Sequence, residues 1–108
     1  MTHASVAPMV IKKARDIEGA ASAAACVVQM HERLVEFLQP GQGLAEIDAF
    51  IGEELKSMQA RSCFIRYRIP GQKPFPSHSC LSVNDCVVHG THLMNDDLLK
   101  EGDLISID

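Results

Sequence analysis

Two residues in the second half of the sequence, His89 and Asp108, have types and positions that suit catalysis or metal binding. His89 follows Cys86-Val87-Val88 and precedes Gly90, so a ligand has room to approach its imidazole, a side chain often used in acid–base chemistry. Asp108 closes the alternating segment 104–108, and a carboxylate at the end of a packed strand is held rigidly, as a metal ligand should be. Taken alone, each signal is weak, and a histidine at a surface turn and an exposed aspartate at a strand end are the more common interpretations of such residues.

A structural zinc site is a weaker interpretation of the same region. Its candidate ligands would be His78, Cys80, Cys86, His89 and His92. Structural zinc sites usually show paired ligands with short internal spacing, whereas these intervals are irregular. Cys80 fits equally well as a small buried apolar residue. The sequence has no glycine-rich phosphate loop and no serine in a G-x-S-x-G context.

Two amphipathic helices are predicted ahead of these residues. The first should begin with Asp16 as its N-cap and end at Pro40-Gly41, because a carboxylate accepts from the free amides of a first turn and proline disfavours helix before it. Its apolar stripe consists of Ile17, Ala20, Ala24, Val27, His31, Leu34 and Leu38. The second helix is predicted near residues 43–60, with a stripe formed by Leu44, Ile47, Ile51, Leu55 and Met58.

Strands and turns are predicted after the second helix. Residues 62–68 have the mixed apolar and basic character of a short strand, and the three prolines in 69–76 exclude regular structure there. Residues 79–84 and 86–88 suggest a strand pair around a tight turn, and a turn at 100–103 feeds a strand over 104–108. In that last strand Leu104, Ser106 and Asp108 share one face, opposite Ile105 and Ile107. Helices followed by strands indicate an α+β fold.

Length and composition indicate one ordinary globular domain. The 108 residues, with 46% apolar and 22% charged residues, leave room for a loose arm over 1–15 and one folded body over 16–108. The net charge of -4 argues against nucleic-acid and membrane-surface partners. No apolar run is long enough to span a bilayer, no secretory signal is recognisable, and four scattered cysteines suggest a reducing cytoplasm.

Several segments together resemble one family, the type I methionine aminopeptidases. They cover most of residues 11–108 and occur in the family's order: Asp16-Ile17-Glu18, Pro40-Gly41, Leu44-Ala-Glu-Ile-Asp48, Phe75-Pro76-Ser77, Cys80-Leu-Ser-Val-Asn84, Val88-His89-Gly90 and Leu99-Lys-Glu-Gly-Asp-Leu-Ile-Ser-Ile-Asp108. The resemblance implies the first half of a pita-bread fold, with two helices packed on an antiparallel sheet.

The function that the resemblance implies is removal of the initiator methionine from nascent polypeptides, with the ribosome as the expected place of encounter. In such enzymes two divalent metal ions, which can be cobalt, manganese, iron or zinc, activate water and polarise the scissile carbonyl. By the match, Asp108 corresponds to the first metal-binding aspartate. His89 corresponds to the catalytic histidine that contacts the substrate near the scissile amide. Phe75 and Cys80 correspond to residues that line the pocket for the methionine side chain.

The sequence also departs from the family's pattern. Residues 68–73 form an insertion, and Thr91-His92 stands where Ile-Pro is usual. The remaining metal ligands of the family would lie beyond residue 108, so these residues alone are expected not to complete the metal centre or to bind metal tightly. An uncovered sheet would favour self-association. A non-catalytic binding module, a degraded gene product and a proline dipeptidase of the same fold are the alternatives.

Overall fold

The structure, a computed structural model, describes residues 13–108 as two helices followed by a small sheet. Helix α1 spans Ala14–Phe37 and helix α2 spans Leu44–Ser57. Strands β1 (Leu81–Val83) and β2 (Ile105–Ile107) pair antiparallel, with Leu81 opposite Ile107 and Val83 opposite Ile105. The α+β prediction is confirmed. Most of the predicted arm over residues 1–15 lies outside the described residues.

The predicted N-cap of α1 is wrong by three residues. Lys13 occupies the N-cap without a side-chain hydrogen bond, and its carbonyl oxygen accepts from the backbone N–H of Asp16. Asp16 therefore lies inside the first turn, where its carboxylate interacts favourably with the helix dipole without capping it. Alanine and arginine are strong helix formers, so nothing prevents the helix from extending upstream. At the other end, α1 stops at Phe37, with Leu38 as the C-cap.

Only the second half of α1 contributes to the core. Met30 and Leu34 are buried, and the ring of Phe37 stacks on that of Phe50 in α2 with centroids 3.9 Å apart. Ile17 and Val27, both members of the predicted stripe, are 55% and 57% exposed. The predicted stripe is thus correct near the C-terminal end of the helix and wrong near its start, where no described element covers it.

The stripe predicted for α2 is confirmed and forms the centre of the core. Leu44, Ile47 and Ile51 are buried against Leu34 of α1 and Leu81 of β1. Burial of each such side chain stabilises the fold by about 1.5–3 kcal/mol. Ile105 and Ile107 pack against the same cluster, while Leu104 and Ser106 are exposed, so the predicted alternation of faces in β2 is confirmed.

The turn between the helices is tied to the chain that leads into β2. Gly41 donates its N–H to the carbonyl oxygen of Leu99, and Leu99 donates back to the carbonyl oxygen of Gln42. The buried Gln42 side chain donates to the carbonyl oxygen of Phe37 and accepts from the N–H of Gln39. These bonds satisfy backbone groups at the end of α1 and fix the position of the sheet relative to the helices.

Two predicted strands are absent from the described residues. Residues 62–68 form turns because the hydroxyl of Ser62 accepts from the backbone N–H of Phe64, a local bond that competes with an extended ladder. Residues 86–88 are also irregular, and Cys86 instead donates to the carbonyl oxygen of Val83 to close a turn. The segment 69–76 contains no regular structure, as predicted. Neither described helix is long and apolar enough to cross a membrane.

Candidate active site

Strand β1 is the frame on which the candidate residues are placed, because different candidates attach to its two edges. On one edge, Cys80 and Asp108 exchange backbone hydrogen bonds, extending the ladder beyond β2. On the other edge, Leu81 donates its N–H to the carbonyl oxygen of Gly90 at 2.8 Å, which fixes the residue after His89. Cys80 and Asp108 are therefore linked through the backbone at the start of β1, and His89 is linked to it through its neighbour Gly90.

Asp108 is exposed and follows directly on β2. Its N–H donates to the carbonyl oxygen of Cys80 at 3.0 Å, and its own carbonyl oxygen accepts from Cys80 at 2.8 Å. The backbone is thus fixed on both sides while the carboxylate stays free of the core. This geometry suits a ligand that must present its oxygens in a constant direction.

His89 is held by its neighbour rather than by its own side chain. Its φ of 59° lies in the left-handed region, which is uncommon for a residue other than glycine. Gly90 is buried, donates its N–H to the hydroxyl of Ser82 at 3.1 Å, and has no space for a Cβ, which would overlap the carbonyl oxygen of Leu81. The requirement for glycine at position 90 therefore has a steric cause, and the adjacent imidazole is left exposed.

Cys80 is buried, with 3% of its surface exposed. Burial is the main reason that the pKa of its thiol is raised, and the carboxylate of Asp108 raises it further, with smaller effects from Cys63 and Asp48. The side chain is therefore a neutral thiol, which behaves as a small and polarisable apolar group. That chemistry agrees with a wall of a pocket for an apolar side chain and does not favour a nucleophile.

Phe75 belongs to a different part of the chain from the other three candidates. Its backbone accepts from Arg66 and donates to Tyr67, and its ring packs against Phe64 with centroids 6.0 Å apart at 52°. Phe75 is half-buried. Its position thus depends on the segment that precedes the insertion, whereas Cys80, His89 and Asp108 depend on β1.

Asp48 is a buried residue of α2 that supports the site and that the sequence analysis did not single out. Its carboxylate accepts hydrogen bonds from the N–H of His78, the N–H of Ser79 and the hydroxyl of Ser79, at 3.0, 2.9 and 2.6 Å. These bonds fix the loop that leads into Cys80. A signal was available, because Asp48 lies four residues after Leu44 and beside Ile47, on the inward face of α2.

Within residues 13–108, no three side chains of histidine, cysteine, aspartate or glutamate converge to hold an ion. The set His78, Cys80, Cys86, His89 and His92 therefore does not form a zinc cluster. Asp108 has the oxygen chemistry and the fixed backbone that would suit one ligand of a carboxylate-rich site.

Comparison with known proteins identifies the family of this arrangement. The model of metallopeptidase family M24 matches residues 18–108. The chain belongs to this family. Methionine aminopeptidases are among its relatives: that of Helicobacter pylori is 33% identical over 91% of the chain, and that of Aquifex aeolicus is 30% identical over 87%.

A solved structure supports the fold assignment. The crystal structure of methionine aminopeptidase from Thermotoga maritima superposes with a TM-score of 0.78 at 27% sequence identity, covering 93% of the M24 chain and 38% of the solved one. The predicted resemblance and the predicted pita-bread fold are confirmed. The present chain spans 36% of the length of the H. pylori and A. aeolicus relatives.

Proposed function

We propose that these residues form the part of a methionine aminopeptidase that supplies the first metal-binding aspartate and the histidine that contacts the substrate. The observation that carries the proposal is the attachment of Asp108 and His89 to opposite edges of β1, through Cys80 and Gly90. A rigid strand is the support that two side chains need if they are to act on one substrate. The reaction is hydrolysis of the peptide bond after an N-terminal methionine.

Each residue has a distinct role in this proposal. Asp108 holds a divalent metal ion through its carboxylate. The exposed imidazole of His89 donates a hydrogen bond near the scissile amide and so orients it. The neutral thiol of Cys80 and the ring of Phe75 contact the methionine side chain, since a flexible thioether packs favourably against sulfur and aromatic groups.

Two divalent metal ions complete the proposed centre, and cobalt, manganese, iron or zinc would all suit carboxylate ligands. When bound, such ions supply Lewis acidity toward the scissile carbonyl and lower the pKa of water. Asp108 can provide one ligand, and residues outside this sequence would provide the rest. We therefore propose that the 108 residues alone bind no metal pair tightly and hydrolyse no substrate.

The proposed substrates are nascent polypeptides in the cytoplasm, with the ribosome as the place of encounter. Self-association is proposed for the 108 residues on their own, because α1 exposes Val27, Val28 and Val35, each more than half accessible. Sedimentation velocity should show a concentration-dependent dimer that Val28→Glu weakens. A strictly monomeric wild-type protein would contradict self-association.

Two experiments test the functional proposal. Calorimetric titration of the 108 residues with Mn²⁺ or Co²⁺ should give no tight two-site isotherm, and two sites of micromolar affinity would contradict the incomplete centre. In a polypeptide that continues this sequence to the length of its relatives, His89→Ala should lower kcat while thermal unfolding stays unchanged. Asp108→Asn should abolish binding of one metal ion, measured by metal analysis.

His31→Ala is a matched control, because His31 is an exposed histidine on α1 and has no role in the proposed site. Its kcat should equal that of the parent enzyme. Unchanged turnover in His89→Ala, or equal losses in both histidine variants, would remove His89 from the mechanism. A longer polypeptide that binds two metal ions without cleaving any methionyl peptide would favour the binding-module alternative.

A further inference from the structure

An open cleft of about 1020 Å³ lies apart from the candidate active site, between α2 and the segment 60–66. Its walls include Gly52 and Lys56 of α2, Arg61 and Ile65 of the facing segment, and the side chain of His78. None of Phe75, Cys80, His89 and Asp108 lines it. The cleft is therefore a surface that the proposed hydrolysis does not use.

His78, in the wall of the cleft, is held by hydrogen bonds to both sides of its backbone. Its N–H donates to the carboxylate of Asp48, and its carbonyl oxygen accepts from the hydroxyl of Ser62. Its ring lies over Gly52 so closely that a Cβ there would be 2.8 Å from two ring atoms. Glycine at position 52 thus makes room for an imidazole that joins α2 to the opposite wall.

The charge around the cleft is opposite in sign to that of the whole chain. Lys56, Arg61 and Arg66 line it, against the single carboxylate of Glu53. None of the three cations takes part in the ion pair of residues 13–108, which joins Arg33 to Glu54, so they outnumber the carboxylate of the lining. The sequence contains no acidic residue from 57 to 84, although the chain carries a net charge of -4. This local excess attracts an anionic partner.

The cleft also has an aliphatic component, which narrows the choice of anion. Leu55 and Ile65 are half-buried, and Ala49 and Ala60 lie beside them. The lining contains no phenylalanine, tyrosine or tryptophan. Single-stranded nucleic acids gain much of their affinity by stacking bases on aromatic rings, so this lining suits them poorly. Carboxylates beside aliphatic side chains match both components.

We propose that this cleft binds an acidic peptide segment in which glutamate or aspartate alternates with aliphatic residues. The carboxylates contact Lys56, Arg61 and Arg66, and the aliphatic side chains lie on Leu55 and Ile65. The binding adds a docking site to the chain and does not depend on the metal centre.

The test uses the 108-residue protein and a short fluorescein-labelled peptide of alternating glutamate and leucine, with binding followed by fluorescence anisotropy. The triple variant K56Q/R61Q/R66Q should bind about tenfold more weakly or worse, since three exposed charge contacts to the peptide are lost. The matched control K13Q/R15Q/K100Q removes the same number of charges at exposed positions away from the cleft and should bind as the wild type does.

Two further peptides make the test independent of whether the variants fold. Glutamine in place of glutamate should abolish binding to the wild-type protein, and serine in place of leucine should weaken it. Equal weakening in both triple variants, or no binding by the wild type, would overturn the proposal. So would tighter binding of a single-stranded RNA oligonucleotide than of the peptide. A dimer of the free protein that K56Q/R61Q/R66Q disrupts would assign the cleft to a second copy and overturn the proposal as well.

Discussion

Cys80 and Asp108 face each other across the antiparallel ladder, each donating its backbone N–H to the other's carbonyl oxygen, at 2.8 and 3.0 Å. Side chains of residues paired in this way lie on the same side of a sheet. The proposed pocket residue and the proposed metal ligand are therefore placed by one pair of hydrogen bonds. A slip of one residue in the register would turn the carboxylate to the opposite face.

The burial of Cys80 predicts that the cysteines react at different rates with iodoacetamide. The thiolate is the reactive form, and both burial and the carboxylate of Asp108 raise the pKa of the Cys80 thiol. Exposed Cys63 should therefore be alkylated first, and Cys80 only as the protein opens. Peptide mass spectrometry over a time course at neutral pH measures the order. Modification of Cys80 as fast as Cys63 would contradict the burial of this thiol beside β1.

Gly90 supplies a second prediction, concerning the edge of β1 that carries His89. In Gly90→Ala the new Cβ would overlap the carbonyl oxygen of Leu81, so the backbone hydrogen bonds of Gly90 must lengthen or break. The variant should lose about 2 kcal/mol or more of unfolding free energy, measured by urea denaturation.

Gly19→Ala is the control for that substitution. Gly19 lies in α1, and a Cβ added there would meet no atom within 4 Å, so alanine should stabilise the protein by about 0.5–1 kcal/mol. Equal stabilities for the two alanine variants would mean that the segment around His89 is not held against β1.

The apolar stripes of the helices were predicted correctly from sequence where the core of the protein covers them. The stripe of α2 was found because its apolar residues at three- and four-residue spacing all reach the core. The early stripe of α1 has the same periodicity, yet Ile17 is exposed, since periodicity indicates which face is apolar and not whether a partner covers it.

Strand pairing was less predictable because it is not local. The pattern suggested that residues 79–84 pair with 86–88, but β1 pairs with β2, more than twenty residues away. Local turn chemistry at Asn84, which has a φ of 55°, redirects the chain and leaves 86–88 irregular. The roles of the site residues came from motif resemblance, whereas Asp48 was missed because its role depends on a loop thirty residues later.

The hydrogen bonds of the Asp103 carboxylate predict that the stability of the folded protein depends on pH. Its carboxylate accepts from the backbone N–H of Lys100 at 2.8 Å and from the side-chain amide of Asn84 at 3.1 Å, and these bonds lower its pKa from the ordinary value of 3.8. A lowered pKa in the folded state means that the stabilisation is present above pH 3.8 and is lost as the pH falls through the folded-state value.

The measurement is the midpoint of urea unfolding for the wild type and for Asp103→Asn as the pH is lowered. The wild type should be the more stable at neutral pH, and the difference should shrink as the medium becomes acidic. Asp97→Asn is the control, as an exposed aspartate without an assigned side-chain hydrogen bond, and its difference from the wild type should stay small. A gap between wild type and Asp103→Asn that does not change with pH would contradict the assigned hydrogen bonds.

Asp48 supplies the last prediction, because one carboxylate of α2 fixes the loop that enters β1. Asp48→Ala leaves the N–H groups of His78 and Ser79 and the Ser79 hydroxyl without their acceptor in a buried place, which should cost about 3 kcal/mol of unfolding free energy.

Asp48→Asn should cost less, since its remaining side-chain oxygen can still accept from Ser79 while its amide cannot accept from His78. Glu46→Ala is the control, because Glu46 is exposed in the first turn of the same helix and should change stability by well under 1 kcal/mol. The ranking of the three variants is decisive. If Asp48→Ala were no less stable than Glu46→Ala, the loop would be positioned by its own turns and not by α2. Asp48 would then have no part in positioning Cys80 and Asp108.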